Sequence, residues 1–325
     1  MRIIAVTGAS GYVGQRVVAQ LAAAPQIERI LALDIHPATF PSDKVTFIQH
    51  DVTQPMTALF EEHGVDAAAH FAFVLNPIHD RARERQINIG GTENFLRACH
   101  AVQAKTVLIT SSATAYGAWP DNPLQLDETM PLRGKPGFFY VEDKVKQDLL
   151  TQQYAQGHPQ SRVIITRMSV VMGPHVSNYI SRYFLKAVAV MVRGSDPPAP
   201  IVHEDDVAQA TACLFLQAPS GAYNLDAPNP ISVRQGIAAI GGRVVALPPA
   251  ILYPVADLGW KLRLKFLTEA PSPMLDYLRY SWSCDGRKVT RYTDFRYQYD
   301  AAACIAAFAR FRQEQKEGNE KMVNG

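Results

Sequence analysis

The sequence predicts an α/β fold: a parallel sheet covered by helices on both faces, followed by a smaller, loop-rich C-terminal region. Short β-branched runs alternate with longer helical patterns through the first half of the 325 residues, which implies βαβ units. Several of the runs are continuously apolar, as strands buried on both faces are. Beyond Met172 the alternation weakens and prolines crowd in between Pro174 and Pro273, in a region of the kind that often carries specificity.

The elements read in order as follows. Residues 3–7 form a first strand, with no charged and then apolar leader before it, so no signal peptide is expected. A helix over 12–24 follows, then strands over 30–34 and 45–50, a helix over 56–63 and a strand over 67–71. A long helix over 81–100, a strand over 106–111, a helix over 139–156 and a strand over 163–167 complete the regular part. The most apolar late stretch, 246–267, is interrupted by Pro248, Pro249, Pro254, Asp257, Lys261, Arg263 and Lys265. It is too broken for a membrane span, and a core or lid helix is favoured there over a peripheral amphipathic helix at 258–267. The polar end, 313–325, is expected to fray.

Composition removes whole classes of function. Apolar residues make up 47% and charged residues 19%, enough for a sizeable core and incompatible with global disorder. Lys plus Arg number 32 against 30 Asp plus Glu, a net +2. That balance gives neither the electrostatic footprint of a nucleic-acid binder nor a basic cluster for an anionic membrane. Cys99, Cys213, Cys284 and Cys304 form no C-x-x-C, so neither a metal site nor a disulfide framework is indicated. A reducing, cytoplasmic compartment is expected.

The first candidate site is Thr7-Gly8-Ala9-Ser10-Gly11-Tyr12-Val13-Gly14, between the first strand and the first helix. Gly8 permits the tight turn, Gly11 lets the backbone approach a pyrophosphate, and Gly14 allows helix to pack closely on strand. The helix N-terminus offers unpaired N–H groups and a positive dipole end to phosphates. Asp34 ends the second strand, twenty residues after Gly14. A carboxylate there accepts hydrogen bonds from both ribose hydroxyls of an adenosine and repels a 2′-phosphate, favouring NAD over NADP. Asp51-Val52 follows the third strand, where an acceptor could reach the adenine amino group.

The second candidate site joins Tyr140 and Lys144, spaced i, i+4 on one helix face, to the hydroxyl-rich stretch Thr110–Gly117 at the carboxyl end of the fifth strand. Ligands of open parallel sheets bind beyond those ends. A nearby ammonium favours phenolate and would lower the Tyr140 pKa, making it an acid/base near neutral pH. Ser112 could hydrogen-bond a substrate carbonyl or alcohol, although taken without the other motifs it reads as a turn cap.

The motifs TGASGYVG (7–14), Asp34, DV (51–52), HFA (70–72), Asn88 with Gly91 and Thr92, SSATAYG (111–117), YVEDK (140–144), Arg167 with Gly173-Pro174, and HEDDVA (203–208) span most of the chain. In this order and at these spacings they resemble the extended short-chain dehydrogenases/reductases, the NAD-dependent epimerase/dehydratase family. The resemblance implies a Rossmann-type doubly wound sheet of about seven strands with a smaller C-terminal α/β substrate domain. Residues 1–170, completed by about 201–226, would bind NAD, and 171–200 with 227–312 would bind a small-molecule substrate. It implies a catalytic triad in which Ser112 orients the reacting oxygen and Tyr140 transfers the proton. Lys144 would hold the nicotinamide ribose and depress the Tyr140 pKa. It places Gly8, Gly11, Tyr12, Val13, Gly14, Asp34, Asp51, Val52, Phe71, Ala72, Asn88, Tyr140, Lys144 and Met168 around the cofactor. It also implies a homodimer formed through the helices at 81–100 and 139–156. His70 and His203 match family positions and read as structural.

Two departures bear on the substrate. Nucleotide-sugar epimerases of the family carry an Asn three residues after the arginine at 167, where Val170 stands here, and an Arg before the HEDDVA motif, where Ala199 stands. Losing that cation and polar contact weakens diphosphate binding, unless Arg182, Arg193, Arg263 or Arg287 substitutes. Tyr253, Trp260, Phe266, Tyr277, Tyr280, Trp282 and Tyr292 could instead line an apolar pocket. An NAD-dependent dehydrogenase or reductase of a small, fairly apolar secondary alcohol or ketone is therefore favoured. A nucleotide-sugar epimerase or dehydratase with tightly bound NAD is the alternative, and a non-catalytic NAD-responsive scaffold a second one.

Overall fold

Alternate residues of each central strand enter opposite cores, and this decides the architecture. In β1 (Ile3–Thr7), Ile4 and Val6 pack on one side and Ala5 on the other. In β2 (Arg29–Asp34), Ile30 and Ala32 oppose Leu31 and Leu33 in the same way. A strand buried on both faces must be covered on both. Helix α1 (Tyr12–Ala23) and a later helix, α7 (Glu204–Gln217), supply Val17, Val18, Val207 and Leu214 to the first core. Helices α2 (Thr57–Glu62), α4 (Gly91–Ala101) and α5 (Phe139–Gly157) supply Phe60, Phe95 and Tyr154 to the second.

This computed structural model describes residues 3–76 and 78–324. With β3 (Val45–Gln49), β4 (Ala67–His70), β5 (Thr106–Ser112), β6 (Arg162–Met168) and β10 (Gly221–Leu225), the sheet has seven strands in the order β10-β6-β5-β4-β1-β2-β3. Every pairing in it is parallel. The Rossmann-type doubly wound sheet is therefore present; β1 to β6 lie within one residue of the expected bounds, and β10 adds the seventh strand from the 201–226 segment.

The long helix expected over 81–100 is divided. It consists of α3 (Arg81–Arg85), a wider π turn over Gln86–Gly90, and α4. Gly91 starts α4 against the loop after β3, where an added Cβ would lie 2.7 Å from Val52 Cγ2.

Beyond β6 the chain is more regular than its prolines suggest. β7 (Val170–Met172) pairs with β9 (Ile201–His203), and β8 (Val188–Val192) pairs with β11 (Arg243–Leu247), in two parallel two-stranded sheets. Around them lie α6 (Tyr179–Phe184), α8 (Val233–Ala239), α9 (Pro249–Lys261), α10 (Arg287–Tyr292) and α11 (Ala301–Asn324). Helix α9 ends at Lys261, so 258–267 is not one helix. No helix among the described residues is long and apolar enough to cross a membrane.

Candidate active site

Parallel register gathers the predicted residues at one edge of the sheet. Thr7 lies opposite Leu33 and His70, and Ser112 lies opposite Met168. The loops leaving β1, β2, β4, β5 and β6 therefore meet beyond the carboxyl ends, the usual binding crevice of such sheets.

The glycine turn is a close fit. Gly8 has a φ of +68°, and a Cβ on it would meet the Ala72 nitrogen at 2.4 Å. A Cβ on Gly14 would meet the Gly8 carbonyl oxygen at 2.1 Å. Both are contacts that only glycine allows, and they leave the N-terminus of α1 open for an anion. No side chain caps that terminus. Asp34 accepts hydrogen bonds from the backbone N–H of Ser10 and of His36, each at 3.0 Å. These fix the carboxylate while its remaining lone pairs stay available. The cradle and the carboxylate fit a dinucleotide with free ribose hydroxyls.

Tyr12 and Val13 begin α1. The Tyr12 hydroxyl is committed to Glu204, which also accepts from Arg16 at 2.7 Å and lies 2.6 Å from His175 Nδ1. Tyr12 therefore offers only its backbone to a phosphate. Asn88, in the π turn, accepts from Val74 N–H at 2.9 Å and donates to Asp143 at 3.2 Å. Its amide is engaged at both ends, holding the loop after β4 against α5. Asp51 accepts from Thr53 N–H at 2.8 Å. Phe71 and Ala72 abut the glycine turn, and Met168 sits across from Ser112.

Ser112 both caps and reaches the phenol. Its Oγ accepts from Thr114 N–H at 3.2 Å and from Thr114 Oγ1 at 2.8 Å, and it is also hydrogen-bonded to Tyr140. Burial pushes the Tyr140 phenol up to about 12, and the Ser112 contact lowers it only in part. The expected depression by Lys144 is absent because that ammonium is directed elsewhere. It donates to Thr110 O at 2.8 Å and Gln147 Oε1 at 2.9 Å, and it lies 3.5 Å from the centre of the Phe73 ring. Burial pulls the lysine down to about 7, against the opposing pull of Asp148 and Asp143.

His70 is fully buried between Thr7 Oγ1 at 2.6 Å and Thr92 Oγ1 at 3.2 Å, and burial pulls its pKa down to about 3. A neutral, doubly engaged ring is a structural one. His203 caps α7 and stacks on Tyr299 at 3.6 Å.

Aromatic side chains enclose Tyr140. Phe73 meets its ring edge-on at 5.5 Å and Phe138 lies at 6.0 Å. Tyr179 and Tyr277 are buried in the same cluster; burial raises both phenols, Tyr140 raises Tyr179 further, and Tyr179, Tyr140 and Asp276 raise Tyr277 further. Tyr277 donates to Thr114 O at 2.8 Å. Tyr179 and Phe73 escape sequence reasoning, because neither lies in a strand–helix signature. The one available signal was the Asn178–Ser181 capping box that starts α6 and sets Tyr179 at its first turn.

The substitute cations for a diphosphate are partly committed. Arg182 is paired with Glu269, and Arg287 with Asp285 at 2.7 Å. Ala199 is buried and apolar.

Residues 4–226 match the NAD dependent epimerase/dehydratase family. An uncharacterized protein of Mycobacterium tuberculosis is 24% identical over 290 residues, covering 86% of this chain and 76% of that one. The UDP-glucose 4-epimerase of Erwinia amylovora is 27% identical over 195 residues, 54% of this chain and 55% of its own. Among solved structures, the UDP-glucose 4-epimerase of Thermotoga maritima with UDP-glucose superposes with a TM-score of 0.73 at 16% identity, covering 97% of this chain and 99% of the other. A dTDP-glucose 4,6-dehydratase of Streptomyces venezuelae with NAD bound gives 0.73 at 22%, covering 98% of each. The match across the dinucleotide half, on a sheet of seven parallel strands, makes this chain a member of the NAD-dependent epimerase/dehydratase family of enzymes.

Proposed function

We propose that the protein transfers hydride between NAD and a secondary alcohol or ketone of a small, largely apolar substrate, with Tyr140 as the acid/base. The observation that carries this reading is the aromatic enclosure of Tyr140 by Phe73, Phe138, Tyr179 and Tyr277. It is supported by the absence of a polar side chain at Val170 and Ala199, and by the pairing of Arg182 and Arg287 with carboxylates. Neither of those two guanidiniums is then free to act as the fork that suits a diphosphate.

When bound, the nicotinamide supplies or accepts the hydride. The residues of the chain handle the proton. A phenol with a pKa of about 12 is protonated at neutral pH, so Tyr140 is set to give its proton to a ketone oxygen as the carbonyl carbon takes hydride. The phenolate left behind recovers a proton from solvent. Ser112, bonded to that phenol, is placed to donate to the same oxygen. In the reverse direction Tyr140 must first lose its proton. Alcohol oxidation should therefore quicken by about tenfold per pH unit through the neutral range, while ketone reduction stays nearly flat. A pH profile in both directions checks this.

A second reading, a nucleotide-sugar epimerase or dehydratase with retained NAD, is favoured by the similarity to the Erwinia epimerase. One experiment separates the two. Denaturing the purified protein and quantifying released nicotinamide nucleotide should give little NAD per chain. Wild type should then turn over apolar secondary alcohols with NAD, and Tyr140→Phe should not. Near-stoichiometric NAD together with conversion of UDP- or dTDP-glucose would establish the second reading instead.

A further inference from the structure

Helix α9 uses only one face to hold itself to the protein. Leu252, Ala256 and Gly259 are buried, with Leu252 and Ala256 in a small core beside Val192 and Leu275. A second stripe faces water. Ile251, Val255, Leu258 and Leu262 follow one another at helical spacing and are 44–57% exposed, and Phe266 just beyond is 78% exposed. Large apolar side chains standing in a row on a surface mark a contact site. Lys261, Arg263 and Lys265 alternate with the end of that row and are all exposed. Across residues 249–268 the one carboxylate is Asp257, and Glu269 beyond it is neutralised by Arg182. The near-neutral charge of the whole chain hides this local excess.

We propose that this face, from Ile251 to Leu267, docks on the surface of an anionic lipid bilayer. The apolar stripe would lie at the acyl boundary and the three cations among the headgroup phosphates. Apolar area combined with flanking cations is the pattern of an interfacial segment. A second copy of the chain is the weaker fit. A two-fold contact through this face would set Lys261, Arg263 and Lys265 against their own counterparts with only Asp257 to offset them. Insertion across the bilayer is excluded by length, since α9 has 13 residues and a span needs about 20.

Docking here would bear on the active site. Trp260 of α9 stacks on His79 at 4.1 Å, at the far end of the loop that carries Phe73. The Tyr253 hydroxyl bonds Asp276, the neighbour of Tyr277. The helix thus touches both segments that wall Tyr140, whichever substrate that wall accepts.

The test is co-sedimentation of the full chain with vesicles of phosphatidylcholine alone or mixed with phosphatidylglycerol. Binding is expected to the mixed vesicles only, and to weaken as salt rises. Each cation near such a surface contributes about fivefold, so Lys261→Gln with Arg263→Gln and Lys265→Gln should lower partitioning by roughly a hundredfold. Leu258→Asn with Leu262→Asn and Phe266→Asn should abolish it. All six positions are exposed, so the thermal transition should not move, which separates lost docking from lost folding. The proposal is overturned if wild type stays in solution with anionic vesicles at low salt, or if both triple variants sediment as wild type does. It is equally overturned if the substitutions instead break a dimer seen by sedimentation velocity while no vesicle binding occurs.

Discussion

Lys144 is drawn in two directions. Burial favours its neutral amine, Asp148 and Asp143 favour its ammonium, and burial prevails, leaving a pKa of about 7 against 10.5 for a free lysine. Between those values the unfolded chain holds a proton that the folded chain has released. Stability therefore rises with pH across about 7 to 10.5, and the penalty of a buried ammonium is felt in full below 7. Lys144→Met should lack this slope. Urea titrations of both proteins would show wild type gaining on the variant by about 1 kcal/mol per pH unit within that window and by nothing below it. Asp34 acts through charge rather than burial. Asp34→Ser should weaken NAD binding by about ten- to a hundredfold, the worth of charge-assisted hydrogen bonds. It should also narrow the preference for NAD over NADP, and calorimetric titration with each dinucleotide checks both effects.

The glycines decide outcomes for the elements they join. Gly14→Ala would drive a Cβ to 2.1 Å from the Gly8 carbonyl, so α1 must lift off its turn, and both the thermal midpoint and NAD binding should fall. Gly90 is the contrast. It is helical, with nothing within 4 Å of an added Cβ, and Gly90→Ala should raise stability by up to about 1 kcal/mol. Thermal melts of the pair suffice. The strands and α1 were legible because a strand buried on both faces must be apolar at every position, and because a dinucleotide turn needs its glycines at fixed spacing. The break at Gln86–Gly90 was not, since a π turn keeps helical residues and shifts only their phase. Ser112 and Tyr140 were found by spacing and do meet. The direction taken by Lys144 was hidden, because Phe73 and Gln147, which draw it, carry no signature of their own. The small sheets of β7 with β9 and β8 with β11 escaped because their strands are three and five residues long among prolines.

Across the whole molecule, two buried polar networks connect the early and late parts of the chain. In one, Arg167 of β6 grips Asp148 of α5 at 2.9 Å and donates to the Tyr116 hydroxyl at 2.8 Å, which donates in turn to Asn224 of β10 at 2.8 Å. Asp148 is wholly buried, so Arg167→Met would leave a charge with no partner of comparable strength. The expected cost is about 3–5 kcal/mol, measured by denaturant unfolding. In the other, Glu204 at the start of α7 holds Tyr12 and Arg16 of α1. The strand that closes the sheet, β10, pairs with β6 only after the intervening residues 169–220 have been made. While the chain is still emerging from the ribosome, β6 presents its backbone from Ile164 to Met168 as an unpaired edge. A nascent chain stalled before residue 221 is thus an adhesive template for a neighbour's strand. Native structure becomes attainable only once residues 221–225 have left the ribosome, and until then a chaperone has reason to stay bound.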